Sequence, residues 1–354
     1  MKRTLLFLVL ISVLMVKTDN IQAQQDPYTT HYAFNRMLFN PAVAGSRDRY
    51  CVTALSHYQY TGYEDRTPEF YPKDPSDPNS KPGQATKSVG PKTQMFSFCA
   101  PVTKYGGLGI GFIKDKLGYE SSTHIKIDAA GRLPLRNGGA LSLGFEVNFL
   151  QKGLNGAMLK PLAPNDPSIP SSQVNAQNAV FGAGAYYINP LSNNNTYRDL
   201  WVGVSALNLN HPTYSFGSTV YSTPATHTYI MGGITKVGFL GRTDLDFHPS
   251  AMIKYNTVLQ IDATAMVEYQ NKLWGGLAYR TTADALSVML GYSGFRGNFQ
   301  GLRIGYAYDL TMSKILSVSS GTHEIQLNYC FEIKIIPPPK IDIVTPPFMH
   351  RESD

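Results

Sequence analysis

The sequence predicts an all-β fold: a transmembrane antiparallel β-barrel of about 14 strands, preceded by a plug-like segment and followed by a Pro-rich periplasmic tail. Three observations carry that expectation. The chain opens with an export leader, it is rich in Tyr, Phe and Gly with 16% charged residues, and long stretches alternate apolar and polar residues. Beyond Gln24 no apolar stretch is long enough for a transmembrane helix, so a membrane span has to be built from strands.

The leader comes first. Lys2 and Arg3 precede the apolar run Leu5–Val16, and Ile21-Gln22-Ala23 ends in the small residue favoured at a cleavage site. That run has 12 residues where a spanning helix needs about 20, so residues 1–23 read as a signal peptide. Residues 24–46 form the next unit. Tyr28, Tyr32, Phe34 and Phe39 suit aromatic anchors, Asn40-Pro41 a turn, and Asn35 and its Asn and Thr neighbours suit the polar groups inside a barrel. Such a segment packs in or under the lumen as a periplasmic-side plug; direct contact with a partner protein is the alternative role.

Residues 47–333 hold the strands. Leu141, Leu143, Phe145, Val147 and Phe149 share one face while Ser142, Gly144, Glu146 and Asn148 share the other. The same period places Leu302, Ile304, Tyr306, Tyr308 and Leu310 opposite Arg303, Gly305, Ala307 and Asp309. A β-sandwich would alternate too, but the polar faces here carry charged and small residues with few large aliphatics, which suits a polar lumen better than a sandwich core. Glu146, Lys254, Asp262, Glu268, Arg280, Arg303 and Asp309 all fall inward, where they are expected to pair, because an unpaired buried charge costs several kcal/mol.

Fourteen segments bounded by turn residues can be marked out, the first near 47–60, the fifth near 139–151, the sixth near 179–189 and the last near 321–333. An even count puts both barrel ends on one side, which the assembly route makes periplasmic. The long connections after the first and fifth strands then point outward. The first, beginning Glu64-Asp65-Arg66, is crowded with Pro, Ser and Asp and shows no strand period. The tail, residues 334–354, has prolines that exclude a helix, and its Ile341 and Ile343 could add a strand to a periplasmic partner.

Chemistry is sparse. Three cysteines are too few for a disulfide framework, although Cys51 and Cys330 lie inward on the first and last strands, neighbours when a barrel closes. A seam disulfide depends on register, with Cys99 a competing partner for Cys51. The runs at Gly106–Phe112 and Phe181–Tyr187 superficially resemble phosphate loops, but neither opens a helix, and Gly107, Gly109 and Gly111 alternate as strand residues do. Ser319 and His323 form no catalytic triad, and His31, His57, His124, His211, His227, His248 and His350 stand apart without metal spacing. No enzyme, cofactor or metal is expected, and a net charge of +6 on 354 residues indicates no nucleic-acid partner.

The ordered motifs Gln25-Asp26-Pro27, Tyr32-Ala33-Phe34-Asn35 and Asn40-Pro41-Ala42-Val43-Ala44-Gly45-Ser46 resemble the start of the PorP/SprF family of type IX secretion system membrane proteins from Bacteroidota. The likeness continues through Gly106–Gly118, Phe181–Pro190, Trp201–Pro212, Trp274–Tyr292 and Arg303–Phe331, nearly the whole chain after the leader. It departs in the Pro-rich insertion of residues 64–92 and in the extension past Phe331. The resemblance implies an outer-membrane component of type IX secretion that supports export of large cargo or adhesins, in some bacteria for gliding. It implies as partners outer-membrane lipid, the periplasmic ring and lipoprotein components, and the secreted cargo or adhesin. A passive porin or solute channel is the alternative.

Overall fold

The computed structural model describes residues 29–66, 85–159, 170–192, 194–216, 219–221, 225–256, 258–281, 285–312, 314–317 and 319–332. Within them, period-two alternation becomes strands. β1 (Tyr50–Tyr58) is followed by a small hairpin of β2 (Glu64–Arg66) and β3 (Ala85–Ser88). Then come β4 (Lys92–Thr103), β5 (Gly106–Leu117), β6 (Glu120–Pro134), β7 (Ala140–Asn155), β8 (Gln173–Asn189) and β9 (Tyr197–Leu207). A second hairpin, β10 (Tyr214–Phe216) and β11 (Thr219–Tyr221), precedes β12 (His227–Lys236), β13 (Leu245–Tyr255) and β14 (Leu259–Tyr269). The chain finishes with β15 (Leu273–Arg280), β16 (Ala285–Tyr292), β17 (Leu302–Thr311) and β18 (Thr322–Phe331).

Fourteen of these strands close into one antiparallel barrel, each paired with its sequence neighbour, while β2–β3 and β10–β11 stand outside as separate two-stranded sheets. Closure is between β1 and β18, with Tyr50 opposite Phe331 and Tyr58 opposite His323. A closed sheet leaves no unpaired edge, as a membrane span requires. Outward residues such as Phe96, Ile110, Phe112, Ile125 and Phe149 are 39–52% exposed, which leaves an apolar belt facing the bilayer. At one end the strands are joined mainly by tight turns. Between β14 and β15, Gln270 and Asn271 both take positive φ (53° each) and Lys272 N–H donates to Tyr269 O, a type I′ geometry that matches strand twist. The longest connections lie at the opposite end, after β1, β7, β9 and β17.

Two expectations about boundaries need correction. The fifth and sixth barrel strands extend to Asn155 and back to Gln173, which pair with each other. Hydrogen bonding there outlasts the apolar alternation, because the hairpin continues past the belt into polar Gln, Lys and Asn residues. The first connection likewise contains pairing, Glu64 opposite Ser88, where no strand period was legible. The expected signal peptide (1–23), Tyr28, and the tail with Ile341 and Ile343 lie outside the described residues.

Candidate functional site in the barrel lumen

The lumen holds a segment of the chain itself. Thr29–Ser46 passes through three short 3-10 turns, Tyr32–Phe34, Arg36–Leu38 and Pro41–Val43, and then leads through Arg47–Arg49 into β1. Its upstream end is clamped to the wall near the loop end. Glu324 on β18 accepts from Thr29 Oγ1 (3.0 Å), the Thr30 N–H (3.0 Å) and the His31 N–H (2.9 Å), and lies 2.5 Å from His31 Nδ1 and 2.7 Å from His57 Nδ1. Thr30 Oγ1 donates to Asp309 at 3.0 Å. Its downstream end lies near the turn end, where the Gly45 N–H meets Cys99 Sγ at 3.2 Å. The segment therefore runs through the depth of the lumen, rather than capping its turn end.

The anchors expected from the sequence touch the wall on many sides. Tyr32 donates its hydroxyl to Ser250 at 3.1 Å and is 1% exposed. Phe34 packs on Trp274 at 5.1 Å between centroids, and Phe39 on Tyr229 at 5.5 Å. Asn35 accepts from Ser97 Oγ at 2.8 Å. Asn40 caps the turn that Pro41 opens: its Oδ1 accepts from Ala42 N–H (2.9 Å) while its Nδ2 donates to Ala185 O (3.0 Å) and Val204 O (3.2 Å). Arg36 stacks over Trp201 at 3.8 Å and donates to Tyr186 OH at 2.7 Å.

The glycine runs have a role that their alternation did not disclose. With Gly144 of β7 they form the bed on which the segment lies. A Cβ at Gly144 would sit 2.2 Å from Ala42 N, and one at Gly107 2.3 Å from Gly45 Cα, so only glycine allows this backbone-to-backbone approach. Several of the inward charges pair, while Lys254 lies over the Tyr229 ring at 5.9 Å. Lys126 Nζ donates to Glu146 (2.9 Å) and to the Leu38 carbonyl (2.8 Å), Arg280 lies 3.3 Å from Asp262 and 3.7 Å from Asp309, and Arg303 lies 3.5 Å from Glu268. Sequence reading missed Glu324, His31 and His57 as a unit. The histidines stand 26 residues apart in the chain and meet through the barrel seam, where His57 and Glu324 are register partners.

On the side of β1 and β4–β7 the gaps beside the segment are small. Two of them, one lined by Phe34, Met37 and Ser97 and the other by Leu38, Phe39 and Met95, each measure about 30 Å³. That is water-sized. On the side of β13–β17 an open cavity of about 950 Å³ runs from the turn end, at Arg47, Arg303 and Glu332, along Arg36 and Phe34 to Thr30 and His31 at the clamp. The seam beside it carries Cys51 directly opposite Cys330, with the sulfurs in a disulfide, and Cys51 also opposite Cys99, whose thiol is free.

Solved structures with related shape include the toluene transporter TbuX of Ralstonia pickettii (12% identity, 85% of this chain and 94% of that one, TM-score 0.47). A Pseudomonas aeruginosa FadL homologue is also similar (13% identity, 86% and 94% coverage, TM-score 0.44). No curated protein matches the sequence. The family model described as type IX secretion system membrane protein PorP/SprF matches residues 21–329, which takes in the luminal segment, the glycine bed and every barrel strand up to Tyr329 of β18. The chain belongs to the PorP/SprF family of type IX secretion system membrane proteins.

Proposed function

We propose that this protein is a sealed outer-membrane barrel that supports type IX secretion as a membrane anchor for the periplasmic machinery or as a partner of one large cargo or adhesin, including the adhesins used for gliding. The observation that carries this reading is the filled lumen. A solute channel needs a continuous aqueous path, whereas Thr29–Ser46 crosses the lumen, fixes itself to the wall by hydrogen bonds at Thr30, His31 and Asn40, and ends the open cavity at the Glu324 clamp. The short-turn end, with the open cavity and both barrel termini, then faces the periplasm and its ring and lipoprotein components. The long connections face the cell exterior. Ile341 and Ile343 in the tail supply a β-adding strand to a periplasmic partner in this arrangement. The site is a binding and anchoring surface with no catalytic role.

The test is quantitative proteomics of the medium and cell surface from a strain lacking the gene, beside its parent. Loss of all type IX cargo identifies a core component, and loss of one large adhesin a dedicated partner. An unchanged secretome sinks the secretion reading and favours the porin alternative.

A further inference from the structure

Three lysines at the loop end of the barrel face the bilayer side of the wall rather than the lumen. Lys92 ends the outward row of β4, and Lys114 and Lys116 end that of β5; all three are exposed. The pairing register shows how sharp the boundary beneath them is. The outward row Ala54–Phe96–Phe112–Ile125–Phe149 is apolar, and the next row toward the loop end is Ser56–Gln94–Lys114–Thr123–Gln151. One step further stand Tyr58–Lys92–Lys116–Ser121. On the other side of the barrel the outward residues toward the same end are Tyr255, Leu259, Tyr279 and Leu310, so the basic patch occupies one sector.

Lys92 and Lys116 are direct cross-strand partners. Like charges in that position repel, unless a counter-charge sits between them. Among the described residues no carboxylate forms an ion pair with Lys92, Lys114 or Lys116; the nearby Asp115 points inward and accepts from Thr93. Lys92 Nζ lies 5.9 Å from the Tyr58 ring, which holds the ammonium at the membrane boundary. Ser121, Thr123 and Gln94 add neutral hydrogen-bonding groups around the cations, and Phe96, Phe112 and Ile125 extend the surface into the apolar belt.

We propose that this sector binds the headgroup of a phosphorylated, acylated glycolipid in the leaflet at the loop end. The three ammonium groups neutralise the phosphate, and the acyl chains lie along Phe96, Phe112 and Ile125. Charge complementarity and the abrupt apolar-to-basic step select a lipid over a soluble anion or a protein strand. The inference needs the barrel to span a membrane but not the secretion role, so its failure would leave that reading untouched.

The experiment is native mass spectrometry of the full chain in detergent with added lipid A, in its bis-phosphorylated and enzymatically dephosphorylated forms. The expected result is a retained bis-phosphorylated adduct, at least tenfold weaker for the dephosphorylated lipid and for K92Q/K114Q/K116Q. The K92R/K114R/K116R variant keeps the adduct, and K104Q/R242Q, which removes cations at the opposite end, leaves it unchanged. A heat-modifiable gel shift verifies that each variant is folded. Equal binding by the triple glutamine variant or by dephosphorylated lipid would overturn the proposal. So would full displacement of the lipid by millimolar inorganic phosphate, which would make this a soluble-anion site.

Discussion

Glu324 is fully buried, and the groups gathered on it come from the luminal segment and from the neighbouring strand. A carboxylate removed from water is tolerated when its lone pairs are filled, and here Thr29, Thr30, His31 and His57 fill them. Glu324→Ala should therefore lower barrel stability by a few kcal/mol, because it leaves the buried Thr29, Thr30 and His31 donors without their acceptor at about 1 to 3 kcal/mol each, read as a lower midpoint of the heat-modifiable gel shift. Glu324→Gln, which keeps an acceptor, should lose less. Equal midpoints for wild type and the alanine variant would mean that the clamp does not hold the segment. None of this cluster was legible from spacing. Its members lie in the luminal segment, the first strand and the last strand, and only barrel closure brings them together.

At the scale of elements, the glycine bed and the segment it carries make a testable pair. Valine suits a strand better than glycine does, so Gly144→Val should improve local propensity while forcing the Ala42 backbone away. The expected outcome is an assembled barrel whose luminal segment becomes open to protease. Gly131→Val, on the neighbouring strand where an added Cβ would meet nothing within 4 Å, should leave the segment protected. Cleavage at the same rate in both variants would contradict the bed. The strands themselves were plain in the sequence, because a bilayer outside and a polar lumen inside impose an alternation that Leu141–Phe149 shows directly. Glycine in a strand is ambiguous. Gly107 and Gly109 fit the period-two reading, and nothing in the sequence says that Gly45 and Met37 come to rest against them. The extra length of β7 and β8 was hidden for another reason: above the belt both faces are polar, and alternation vanishes while pairing continues.

For the whole molecule, closure is the event that orders everything else. It brings Cys51 opposite Cys330 and stacks Tyr50 against Phe331 at 5.8 Å between centroids. We expect non-reducing peptide mapping of the purified protein to recover Cys51 joined to Cys330, with Cys99 alkylated once the barrel is denatured; a Cys51–Cys99 peptide instead would place the covalent seam between β1 and β4. The filled lumen separates a sealed anchor from a pore, and conductance reads that distinction directly. Single-channel recording of the full chain in planar bilayers, beside Gly144→Val, is the most direct test. The intact protein should be nearly silent, and the variant should show discrete open steps as the segment leaves the lumen. Steady open-channel current from the intact protein would contradict a sealed barrel and identify a solute channel.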